Sequence, residues 1–121
     1  MKLKHIATAV ALLAVLPAYA HNPKSSHGGR IVLAGPFHVE LVVKDKAIEV
    51  FLKGHDDQPI KPSGFKGVAI LDAGGKAERV ALAPSETDAL MGTATAPLPE
   101  NPKGAIQLTG PDGKTSTARF D

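Results

Sequence analysis

The sequence predicts an all-β fold: a seven- or eight-stranded antiparallel sandwich, Ig-like or cupredoxin-like, behind a cleaved export signal. Three observations carry that prediction. First, no stretch beyond residue 30 keeps the apolar period of about 3.6 residues that a helix needs. Second, short runs rich in Val, Ile and Leu recur at roughly 8–12-residue spacing, with Gly, Pro and Asp between them. Third, the first twenty residues have the three-part layout of a secretory signal.

In the signal, Lys2 and Lys4 supply the positive start, and Ile6 to Leu16 is apolar apart from Thr8. Pro17 and then Ala18-Tyr19-Ala20 put small residues where a signal peptidase cuts. The run is shorter than the ~20 apolar residues that span a bilayer; a buried N-terminal helix is the alternative reading. Cleavage after Ala20 would start the mature chain at His21, in the periplasm of a Gram-negative cell or outside it. It would also remove two of the 14 basic residues, leaving them balanced against 12 acidic ones. The remaining charges are scattered rather than gathered into a basic patch, so nucleic acid is not an expected partner. No span is expected in the mature chain. The chain has no Cys, which excludes thiolate metal sites, thiol catalysis and a lipid-modified cysteine.

Residues 21–29 (His-Asn-Pro-Lys-Ser-Ser-His-Gly-Gly) are polar and glycine-rich and read as a flexible arm. Residues 30–121 form the β domain, with strands expected at 30–34, 37–44, 47–53, 67–71, 79–83, 90–95, 105–109 and 115–120. The clearest unit is the hairpin over 37–53. With Asp45-Lys46 as a two-residue turn, Val43 faces Ile48, Leu41 faces Val50 and Val39 faces Leu52. These six apolar residues share one face, and His38, Glu40, Glu49, Phe51 and Lys53 fall on the other. A second hairpin with a three-residue loop, placing Asp72 opposite Lys76, would set Val68 and Ile70 on one face with Val80 and Leu82. A third turns through Pro111-Asp112-Gly113.

Four histidines follow the signal: His21, His27, His38 and His55, with Asp56 and Asp57 directly after the last. Imidazole suits Cu(II), Zn(II) and Ni(II), and a carboxylate can complete such a site. His38 starts one strand and His55 follows the end of its partner, so both lie at the open end of one hairpin, within reach of His27 on its arm. Each also has a plain reading. His38 faces Lys53, whose charge disfavours a cation, and residues 55–59 make a good polar turn unaided. His21 would add an α-amino nitrogen and an imidazole, the two donors that start a copper-chelating histidine brace. Met91 is the only methionine outside the signal, so a Met-rich Cu(I) site is not expected, and no nucleophile elbow, phosphate loop or zincin motif is present.

His27-Gly28-Gly29, Phe37-His38-Val39-Glu40-Leu41-Val42-Val43-Lys44 and His55-Asp56-Asp57-Gln58-Pro59-Ile60 together resemble a small periplasmic β domain. That domain accompanies heavy-metal efflux systems of the resistance-nodulation-division type, alone or at the start of their membrane-fusion adaptors. Gly74-Gly75-Lys76 and Ala118-Arg119-Phe120 fit the same pattern, and the likeness covers about residues 27–120; Lys46 stands where a turn glycine is expected. The resemblance implies divalent-metal or copper binding, with His27, His38, His55 and Asp56 as ligands. His21 alone resembles the start of CopC-type copper carriers, whose C-terminal Asp-x-His pair is missing here.

The leading expectation is a non-catalytic periplasmic accessory that buffers or hands over copper or another divalent ion (zinc, nickel or cobalt). Its ligands would come from His21, His27, His38, His55 and Asp56, and its partner would be a periplasmic adaptor or efflux component. The alternative is an Ig-like interaction module of the cell envelope with incidental histidines. A copper redox enzyme built on a His21 brace is a third.

Overall fold

In the computed structural model, which describes residues 25–121, every regular element is a strand. They are β1 (Arg30–Ala34), β2 (Phe37–Lys44), β3 (Ala47–Lys53), β4 (Pro59–Ile60), β5 (Lys66–Asp72), β6 (Ala77–Pro84), β7 (Leu90–Thr93), β8 (Gly104–Thr109) and β9 (Thr115–Phe120). The predicted signal over 1–20 and His21 lie outside the described residues.

All pairings are antiparallel, and the ladder follows the order β1-β2-β3-β7-β6-β5-β8-β9, with the short β4 added to β3. A sandwich would divide this path into two facing sheets. Here β6 carries it around the corner, pairing with β5 over Ala77–Leu82 and handing Ala83 and Pro84 to β7. The path ends, β1 and β9, lie side by side, so the sheet wraps into a nearly closed barrel. Arg30 bridges that seam. It donates to the carbonyls of Pro102 at 3.3 Å and Asp121 at 2.7 Å, and its guanidinium lies 5.5 Å from the Phe120 ring centre.

The core is the inside of this wrap. Val39, Leu41, Ile48, Val50 and Leu52 from β2 and β3 meet Ala69, Leu71, Val80, Leu82, Ile106, Leu108 and Phe120 from the far wall. Burying each Val, Leu, Ile or Phe contributes about 1.5–3 kcal/mol, and with no disulfide this apolar surface holds the fold. The β2–β3 register is the predicted one, from His38↔Lys53 to Lys44↔Ala47. The β5–β6 register is one residue away from prediction: Asp72 pairs with Ala77 and Ala69 with Val80. Ala69 and Leu71 therefore face the core with Val80 and Leu82, and Ile70 points outward, 37% exposed. The physical reason is a four-residue loop, closed by Ala73 N–H donating to Lys76 O at 2.7 Å, with Gly74 and Gly75 both at positive φ.

Candidate metal-binding face

The alternation that sends Val39, Leu41, Val50 and Leu52 inward sends His38, Glu40, Phe51 and Lys53 to the outer face of the same hairpin. The register sets Glu40 beside Phe51 and His38 beside Lys53. An outer face usually meets water, yet Glu40 is only 2% exposed, the one buried charged residue among those described. Residues 25–29 cover it.

That segment of the arm is a clamp on one carboxylate. Ser25 Oγ donates to Glu40 Oε2 at 2.7 Å, and the backbone N–H groups of His27 and Gly29 donate to the same oxygen at 3.0 and 2.9 Å. His27 Nδ1 lies 3.0 Å from the other oxygen, Oε1. Burial alone would raise the Glu40 carboxyl, but the hydrogen bonds from Ser25, His27 and Gly29 outweigh it and hold the group at about 2. The carboxylate is therefore ionised and can only accept, so the Nδ1 facing it carries the proton. The His27 ring lies flat on Phe51, with centres 3.5 Å apart and planes 5° from parallel. His27-Gly28-Gly29 thus acquires a structural meaning. Gly28 turns the chain at φ 78, and Gly29 passes so close to β2 that a Cβ would sit 2.3 Å from Leu41 O.

A second histidine environment lies at the open end of the hairpin. The turn between β3 and β4 is closed by Gly54 N–H donating to Gln58 O at 3.0 Å and Asp57 N–H donating to Gly54 O at 3.1 Å. It brings the His55 ring edge-on to His38, with centres 5.8 Å apart. His38 Nδ1 faces the Gly54 carbonyl at 3.3 Å, and Asp57 Oδ1 lies 3.9 Å from the same nitrogen. A carbonyl oxygen can only accept, so this Nδ1 also carries the proton and Nε2 keeps the lone pair.

The predicted ligands are therefore distributed as follows. His38 and His55 come together as expected. Asp56 turns its carboxylate back to the N–H of Gln58 at 3.1 Å, and Asp57 is the acid beside His38. His27 reaches the same face of the hairpin but is held on Glu40 and Phe51. Among the described residues, no group of three or more His, Asp or Glu side chains is gathered to hold a metal ion. The donor chemistry fits a metal at two imidazoles, and the full ligand set is not assembled in advance. Glu40 was placed on the correct face by the alternation, but its burial was missed. The available signal was an arm, Ser25-Ser26-His27, with hydroxyl and imidazole groups and no acidic residue of its own to meet them.

Fold and site together define a small barrel-like β domain with two histidine environments on one hairpin face. Compared with known protein families, curated proteins and solved structures, the chain finds no match.

Proposed function

We propose that this protein is a non-catalytic, periplasmic metal-binding accessory that buffers or passes on copper or a similar divalent ion, alongside an efflux component. The observation that carries the reading is the His38–His55 pair: two rings 5.8 Å apart, one with its tautomer fixed by the Gly54 carbonyl. A carbonyl on Nδ1 with Nε2 left free is the outer-shell arrangement that orients metal-ligating histidines. The export signal read from residues 1–20 supports the compartment, and the resemblance to efflux-associated domains supports the partner.

Calorimetric titration of the purified protein with Cu(II) and Zn(II) tests it. Binding should be well tighter than millimolar and should weaken strongly in the His38→Ala/His55→Ala double variant. Millimolar affinity, or affinity the double variant leaves unchanged, overturns the reading. Intact-mass measurement of the exported protein, with and without chelator, gives the mature start and any bound ion together.

A second reading, an interaction module of the envelope, is favoured by Leu33, which is 57% exposed on the terminal strand β1. Capture of an envelope partner that survives chelation and is lost in Leu33→Lys would favour it over metal handling.

A further inference from the structure

We infer that Glu40 is a positioning residue that presets His27 as an Nε2 donor for a divalent transition-metal ion, separate from the His38–His55 pair. The inference rests on the metal-binding reading for its ligand class, while its geometry stands independently.

Three constraints act on the His27 ring. The Glu40 carboxylate at 3.0 Å fixes which nitrogen is protonated. The Phe51 face at 3.5 Å fixes the plane of the ring. The backbone N–H groups on either side of the motif, from His27 and Gly29, fix where the chain carries it. In the neutral ring what remains is one lone pair, on Nε2, on a side chain that is 42% exposed. A neutral histidine side chain in water favours the proton on Nε2, so the clamp selects the minor tautomer and exposes the donor a metal needs. Carboxylate–histidine pairs of this kind orient and strengthen metal ligands.

The cavity beside the ring carries both signs of charge. His27 lines a cavity of about 230 Å3 together with Phe51, Lys53, Pro59 and Asp88. Lys53 brings a positive charge there, and its ammonium donates to Ser26 Oγ at 2.6 Å. Against that one charge stand two carboxylates, Glu40 behind the ring and Asp88 on the cavity wall. The arm that looks featureless in sequence is thus the carrier of a set ligand.

Long-range proton–nitrogen correlation spectra of histidine-labelled protein test this directly, with Zn(II) as the diamagnetic probe. In the metal-free protein His27 should appear as the Nδ1–H tautomer, and Zn(II) should shift its Nε2 while Nδ1 stays protonated. In Glu40→Gln the tautomer preference should relax and Zn(II) affinity at His27 should fall roughly 10–100-fold. An Nε2–H tautomer in the unsubstituted protein, a His27 signal that Zn(II) does not move, or unchanged affinity in Glu40→Gln each overturns the inference. The first of these readouts needs no variant to fold. In His38→Ala/His55→Ala, a His27 response that persists upholds this inference even if the paired site fails. A response lost at His27 but retained at His38 and His55 in the unsubstituted protein does the reverse.

Discussion

Replacing Glu40 with Gln keeps the shape of the side chain and removes its charge, which isolates what the carboxylate contributes. In the folded protein the carboxyl is lowered from its ordinary 4.5 to about 2, because hydrogen bonds from Ser25, His27 and Gly29 outweigh the cost of burial. At ~1.36 kcal/mol per pKa unit this is ~3 kcal/mol, and solvent screening at the arm's exposed rim reduces it to on the order of 2 kcal/mol. Since the folded value lies below the unfolded one, the contribution is fully present above the unfolded value. It is lost as pH falls from about 4.5 through about 2. Denaturant unfolding followed by circular dichroism, at neutral pH and at steps down to about pH 2, measures it. The unsubstituted protein should be more stable by ~2 kcal/mol at neutral pH, and the gap to Glu40→Gln should close as the pH approaches 2. Parallel stability curves for the two proteins across that window would refute the clamp as an energetic feature.

Gly29→Ala drives a Cβ to 2.3 Å from Leu41 O and 2.8 Å from Val42 Cγ2, so the arm must lift from β2. Amide hydrogen exchange at His27 and Gly29 should become fast while core strands stay protected, at a cost of ~1–3 kcal/mol for the lost charge-assisted bonds. Ile106→Ala, at a fully buried position between β5 and β9, should destabilise the whole domain by ~2–5 kcal/mol in the same unfolding assay. Arg30→Ala removes the bonds to Pro102 O and Asp121 O that bridge the seam, and should cost ~1–3 kcal/mol. Its mark is faster exchange confined to β1 and β9.

The β2–β3 hairpin was legible because its two faces differ in kind. Val39, Leu41, Ile48, Val50 and Leu52 can sit together only in one register, and a slip would set them against His38, Glu40 and Glu49. The β5–β6 hairpin lacks that contrast. Val68 and Ile70 are as apolar as Ala69 and Leu71, so alternation could not choose a face, and a loop one residue longer than assumed decided it. The short β4 was missed for another reason. It is two residues beginning with a proline, held by pairing to Leu52 and Lys53 rather than by any preference of its own. The wrap of the sheet was hidden too, because a sandwich and a barrel share the same alternation and differ only in whether one strand, here β6, serves both walls.

The histidines show where local reading stops. Their placement near one hairpin face followed from register alone, and His38 and His55 do meet. What register could not supply is the anchor for His27: a carboxylate thirteen residues further along the chain that bonds Nδ1 and holds this ring on Phe51, away from a three-imidazole cluster. That separation sets the strength of binding expected on the proposed reading. A closed site with four preassembled ligands holds its ion as part of the fold. Here the described residues offer preset nitrogens on His27 and His38 but no assembled set of three donors. An ion would have to recruit the remaining ligands from water or from a partner. On the proposed reading such a site would bind through fewer bonds and release more readily, which suits an ion passed onward better than one retained. Affinity as tight as a structural zinc site would contradict that argument even if His38 and His55 proved to be the ligands.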